Sequence, residues 1–170
     1  MGNILNIDRY ESPVGPIWIV SKPEGIVRVV ISHTSRARLI EEIVDKVGPV
    51  ECLDGGWINQ FFMHELDAYY TGSLKMFQSR PLLQGTSFQN RVWRTLCSIP
   101  YGTVKTYGEV ATLVGEPKAC RAVGQANSVN PLPILVPCHR VVGRRGIGGY
   151  SSGIAIKQWL LDHEARNQER

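Results

Sequence analysis

The chain has 170 residues, 43% of them hydrophobic and 20% charged, with a formal net charge of +4 at pH 7. That content supports the core of one domain or two small ones and excludes a disordered or low-complexity chain. No apolar run approaches a membrane span, and Met1 to Asn6 show neither a signal-peptide nor a myristoylation pattern. The four cysteines, Cys52, Cys97, Cys120 and Cys138, have no C-x-x-C spacing, which argues against a zinc ribbon or a disulfide framework and for a reducing cytoplasm. Residues 1–85 carry 8 Lys+Arg against 10 Asp+Glu, whereas residues 86–170 carry 11 against 5. A basic C-terminal half suits a polyanion such as nucleic acid, although a solvated basic face has the same composition.

In chain order, Ser12-Pro13-Val14-Gly15-Pro16 is a turn signal, and Ile17–Val20 and Ile26–Ile31 read as short antiparallel strands separated by Lys22-Pro23-Glu24-Gly25. Behind Ser35, the spacing of Ile40, Ile43, Val44 and Val47 predicts an amphipathic helix that ends at Gly48-Pro49. A second helix is expected from Asp54 to about Gly72, burying Ile58, Phe62, Leu66 and Tyr69. His33 and His64 are isolated and read as surface or helix-face residues rather than ligands. Ser73 to Gln84 reads as a linker with an extended piece, which sets a domain boundary at 84: residues 1–84 and 85–170.

Beyond it, Thr86-Ser87-Phe88-Gln89 and Thr106-Tyr107-Gly108-Glu109 are capping boxes. The first opens a helix with Phe88, Val92 and Leu96 inward; the second opens a short helix with Val110, Leu113 and Val114 inward. After Gly115-Glu116-Pro117, a helix is expected to bury Ala119, Ala122, Val123 and Ala126 and to expose Lys118, Arg121, Gln125 and Ser128. This pair is a helix-turn-helix candidate, and an ordinary helical hairpin fits the same pattern. Ile134 to Val142 embeds Cys138 and His139 in an apolar run that reads as a buried strand, with Pro137 placing the thiol at a strand end. A buried structural cysteine is the plainer reading of such a position. Gly148 to Gly153 is a hydroxyl-rich loop, followed by a helix with Ile156, Trp159, Leu160 and His163 on one stripe and Glu164 at its close.

Pro137-Cys138-His139-Arg140-Val141, preceded by Arg121-Ala122-Val123-Gly124 and Asn130-Pro131, resembles the O6-alkylguanine-DNA alkyltransferase family. The resemblance covers Thr86 to Glu164, and Ser12 to Pro16 looks like the opening hairpin of bacterial and archaeal members. It implies an α/β (α+β) protein, with a ribonuclease H-like N-terminal domain and a winged helix-turn-helix-like C-terminal domain. It also implies stoichiometric, irreversible transfer of a methyl or small alkyl group from O6 of guanine, with O4 of thymine as a further donor, to Cys138 after base flipping. No cofactor and no metal are expected. The partner would be double-stranded DNA containing O6-alkylguanine, met by a monomer in the cytoplasm.

Residue by residue, the resemblance makes Cys138 the acceptor. His139 would take the thiol proton directly or through a water, and Glu164 would hold the histidine tautomer. Tyr107 would donate to the leaving guanine, and Asn130 would brace the turn under the cysteine. Arg121 would fill the gap left by the flipped nucleotide. Tyr107, Lys118, Gly124, Gln125 and Ser128 would meet DNA, with the small residues allowing a close approach in the minor groove. Val136, Tyr150, Ser151 and Ser152 would line the base pocket, with Lys157 tethering its loop. Cys97 has no role here, and Cys120 is expected as a buried thiol. A lesion sensor without the thiol, a thiol hydrolase and a helix-turn-helix regulator are the competing classes.

Overall fold

A computed structural model describes residues 3–168. Met1 and Gly2, part of the segment read above for targeting signals, lie outside the described residues. The Ser12 turn joins β1 (Asn3–Ser12) to β2 (Gly15–Lys22) as an antiparallel hairpin. The Ser12 hydroxyl accepts from Val14 N at 3.2 Å and donates to Gly15 O at 2.6 Å. Antiparallel β3 (Gly25–Ile31) and parallel β4 (Val50–Asp54) complete a four-stranded sheet in the order β3-β2-β1-β4.

Strand β2 is buried on both faces, because Ile17 and Ile19 enter one apolar cluster and Trp18 and Val20 the other. Helix α1 (Arg36–Val47), capped by the Ser35 hydroxyl, covers the Trp18 face with Leu39 and Ile43. The expected stripe is therefore displaced: Ile40 and Val44 are half-buried, and Val47, in the last turn, is exposed. Helix α2 (Trp57–Tyr70) covers the other face with Ile58, Phe62, Leu66 and Tyr69, as their spacing predicts. Its expected start at Asp54 is corrected, since Asp54 ends β4 and the helix follows Gly56. Gly56 has φ +149°, and a Cβ there would lie 2.8 Å from Asn6 Cγ. Strand β4 is an edge strand, with Glu51, Leu53 and Asp54 exposed and Val50 and Cys52 packed against the Trp18 cluster.

The segment expected as a linker is pinned in two places. Buried Glu65 accepts from the backbone N–H groups of Gln78 and Ser79, and Ile26 exchanges backbone hydrogen bonds with Arg80 and Leu82 at 2.9 and 2.8 Å. Helices α3 (Ser87–Cys97) and α4 (Tyr107–Leu113) start at complete capping boxes, Thr86 with Gln89 and Thr106 with Glu109. Helix α5 (Cys120–Ser128) packs on α4, and α6 (Ile154–Asn167) closes the described chain. Four expectations fail here. Leu113 is exposed at the end of α4, Lys118 and Ala119 precede α5, Cys120 is exposed at its first turn, and α6 continues past Glu164 to Asn167. One apolar cluster runs from Ile17, Phe62 and Leu66 through Trp93 and Val136 to Leu160, so both sides of residue 84 share a core. No helix among the described residues is long and apolar enough to cross a membrane.

Candidate active site

The expected strand across Ile134–Val142 does not form. Pro137 removes a backbone donor inside this run, and Pro131 and Pro133 remove two more just before it, which works against a continuous ladder. The chain turns instead: Val136 N donates to Leu132 O at 2.8 Å, Cys138 N to Val136 O at 2.8 Å, and Arg140 N to Pro137 O at 3.0 Å. Cys138–Arg140 is a single 3-10 turn, and only Val141–Val142 is a strand, β6, paired parallel with β5 (Lys105–Thr106). Ile134 adopts φ +73°, a strained conformation for a β-branched residue.

Asn130 holds this turn with its side-chain amide. Nδ2 donates to Val136 O at 2.9 Å and to Cys138 Sγ at 3.0 Å, while Oδ1 accepts from Leu132 N at 3.0 Å. Cys138 is 3% exposed, and burial pushes its thiol up to about 11 against the relief given by Asn130 and Lys157. The resting sulfur is thus a neutral thiol, and a thiolate exists only once its proton is taken.

Behind it, His139 Nε2 lies 2.8 Å from Glu164 Oε1, both side chains being fully buried. Burial holds the imidazole below its ordinary value, against the opposing pull of Glu164, so it is neutral at pH 7. The carboxylate contact fixes the proton on Nε2 and leaves Nδ1, which is buried without a partner, as the acceptor. Among the described residues no hydrogen bond joins the Cys138 thiol to His139 directly. Burial raises the Glu164 carboxyl, but the His139 and Arg140 contacts more than offset this and hold it well below the usual carboxylate range.

Arg140 and Tyr69 are additions that sequence reasoning missed. Arg140 grips Glu164 with Nε to Oε2 and Nη2 to Oε1, both at 2.9 Å, and donates from Nη1 to Ile99 O at 2.6 Å. Tyr69, from α2, donates its hydroxyl to Glu164 Oε1 at 2.9 Å, and Gly102 N donates to Oε2 at 3.0 Å. The Arg140 signal was its place beside His139 in the sequence. Tyr69 carried none beyond its helical stripe.

Cys138 opens onto a cavity of about 270 Å³ walled by Tyr107, Gly124, Asn127, Ser128, Gly149, Tyr150 and Ser151. Two expected wall residues are elsewhere: the Val136 carbonyl already accepts from both Asn130 and Cys138, and Ser152 borders a neighbouring groove along β3. Lys157, expected to tether the loop, is buried beneath it. Lys157 Nζ donates to Val141 O at 2.5 Å and Gly149 O at 3.0 Å, fastening residues 148–153 to β6. Burial raises the Tyr107 hydroxyl, which therefore keeps its proton at neutral pH. Gly148 has φ +77°, and a Cβ there would stand 2.8 Å from that hydroxyl. Asn127 is a wall residue the sequence did not mark. Gly124 and Ser128 line the cavity, whereas Lys118, Arg121 and Gln125 are exposed to solvent. Among the described residues no group of three His, Cys, Asp or Glu side chains could hold a metal ion.

A buried cysteine under an asparagine brace, backed by an imidazole–carboxylate pair and flanked by two packed helices, defines a thiol-centred class of protein. The family model described as "6-O-methylguanine DNA methyltransferase, DNA binding domain" matches residues 87–166. A methylated-DNA–protein-cysteine methyltransferase of Methanosarcina acetivorans is 42% identical over 161 residues, covering 91% of this chain and 95% of that protein. The Shigella flexneri protein of that name is 37% identical over 165 residues, covering 92% and 94%. The crystal structure of Mycobacterium tuberculosis OGT in complex with DNA superposes with TM-score 0.81 at 35% identity, covering 96% of this chain and 94% of that one. The chain belongs to the methylated-DNA–protein-cysteine methyltransferase family.

Proposed function

We propose that this protein repairs duplex DNA by moving a methyl or small alkyl group from O6 of guanine, and from O4 of thymine, onto its own Cys138. The observation that carries this reading is the buried Cys138 thiol, which opens onto the cavity with Asn130 at its sulfur and the His139–Glu164 pair behind it. The Sγ proton passes through one water to His139 Nδ1, the free acceptor. The sulfur lone pair then attacks the alkyl carbon, the carbon–O6 bond breaks, and its electrons leave with guanine. Tyr107 gives the departing base a proton and is restored by the proton held on His139, so the net change is a thioether and an intact guanine. The thioether has no route back, which makes the protein act once.

The target base must leave the stack to reach a sulfur this deeply buried. Arg121, exposed on α5, is the residue that fills the gap, and Lys118, Gln125 and Ser128 flank it along the DNA-facing edge. Tyr150 and Ser151 hold the base edge on the cavity wall. The strand order and the β3–α1–β4 connection support a ribonuclease H-like N-terminal part, and the α4–α5 pair with β5 and β6 supports a winged helix-turn-helix-like C-terminal part. Their boundary lies near residue 84. The protein acts as a cytoplasmic monomer and needs no cofactor.

Intact mass measured after mixing with duplex DNA containing one O6-methylguanine tests the reading. Uptake should stop at one methyl per chain, and Cys138→Ala and Cys138→Ser should take none. Repeated turnover, or methylation of another cysteine, refutes it. Arg121→Ala should slow lesion repair more than it weakens duplex binding.

A further inference from the structure

Glu164 Oε1 is shared by three donors: His139 Nε2 at 2.8 Å, Arg140 Nη2 at 2.9 Å and the Tyr69 hydroxyl at 2.9 Å. One carboxylate oxygen has about two lone-pair directions, so these donors compete for its electron density. We propose that Tyr69 is a positioning residue of the alkyl-transfer site, which acts through Glu164 to restrain the basicity of His139. This inference rests on the function proposed above and adds a working role for α2 in the N-terminal half.

The geometry makes Tyr69 more than a packing residue. It is completely buried, and its ring meets Tyr70, Phe77, Tyr101 and His163 at centroid distances of 5.3–5.9 Å. Its own carbonyl accepts from His163 Nε2 at 2.8 Å, so backbone and side chain tie α2 to two consecutive residues of α6, His163 and Glu164. Its hydroxyl is therefore fixed on Oε1 rather than free to turn away. A hydrogen bond at Oε1 withdraws charge from the atom that would stabilise an imidazolium. The charged groups that act on His139 are Glu164 and Lys157 on α6 and Arg140 on its own turn; Tyr101, in the turn after α3, and Tyr150, in the loop before α6, act on Glu164, and Cys138 adjoins the histidine in sequence. Burial, Arg140 and Lys157 already hold the imidazole below its ordinary value, and Tyr69 works in the same direction by weakening the one group that opposes them.

Tyr69→Phe keeps the ring and removes the donor. Tyr101→Phe is the internal control, because it removes a buried hydroxyl without a hydrogen-bond partner from the same ring cluster. Single-turnover methyl transfer from O6-methylguanine DNA should be followed across about pH 5 to 9. In Tyr69→Phe the acid limb should move to higher pH, with a severalfold loss of rate at the acid end and little change on the alkaline plateau. Tyr101→Phe should superimpose on wild type. Site-specific 3-fluorotyrosine at position 69, a stronger donor that keeps the fold, should move the limb to lower pH and decides the matter if the Phe variant folds poorly. A uniform rate loss with the limb unmoved, or an equal movement in Tyr101→Phe, overturns the inference. Absence of transfer by the wild-type protein instead overturns the proposed function.

Discussion

Replacing Glu164 by Gln changes one atom type and tests the whole arrangement behind the thiol. Glu164 is 1% exposed and Arg140 is 6% exposed, and among the described residues no other carboxylate contacts that guanidinium. Removing one member of a buried ion pair leaves its partner's charge uncompensated and costs about 3–5 kcal/mol. The amide nitrogen of Gln also faces donors, because both carboxylate oxygens are occupied by N–H or O–H groups. For a chain of this length each kcal/mol moves the midpoint by about 2–4 °C, so the thermal midpoint at pH 7 should drop by roughly 6–20 °C. The pH dependence has a definite sign. Glu164 is depressed in the folded protein, so between its folded value and the unfolded value of about 4.3 the unfolded chain binds more protons. Its contribution is complete above that value and is lost as pH falls. Calorimetry of both proteins from about pH 3 to 8 should show a gap that is constant at neutral pH and narrows below about pH 4. Adding Arg140→Met to Glu164→Gln should restore part of the loss, because the orphaned charge goes too. A deficit under about 1 kcal/mol, or a gap that ignores acidification, would refute the reasoning.

Asn130→Ala removes three hydrogen bonds worth about 1 kcal/mol each, so it should lower stability by roughly 2–3 kcal/mol in denaturant melts and slow single-turnover transfer; a wild-type rate would sink its role at the sulfur. With a thiol near 11, only about one Cys138 in several thousand is ionised at pH 7.5, so iodoacetamide without DNA should label exposed Cys120 well before Cys138. Peptide mass mapping that finds Cys138 labelled first contradicts this. Gly148→Ala places a methyl group against the Tyr107 hydroxyl and forces a left-handed alanine, which should cost about 1–2 kcal/mol and slow transfer; unchanged stability and rate would show that the loop moves freely.

Local patterns made much of this molecule legible. The Thr86 and Thr106 capping boxes and the Ile58, Phe62, Leu66, Tyr69 stripe are short-range codes, written within one helix and independent of what lies opposite. The thiol segment misled because its apolar residues are buried without being a strand. Burial and pairing are separate demands, and three prolines satisfy only the first. Strand β4 was hidden for another reason, since this five-residue edge strand turns only Val50 and Cys52 inward, too short a pattern to read. The deeper failure concerns Tyr69 and Arg140. Tyr69 lies 95 residues from Glu164 in sequence, and nothing in a helical stripe says that one of its rings ends in a hydroxyl aimed at a carboxylate. Arg140 was visible as a basic residue beside His139, yet the plainer expectation for arginine is solvent. A cation forced into the core has to find an anion, and within reach of that turn the anion is Glu164, the same group that His139 needs. One carboxylate, Glu164, therefore pairs with both the imidazole and the guanidinium behind the sulfur.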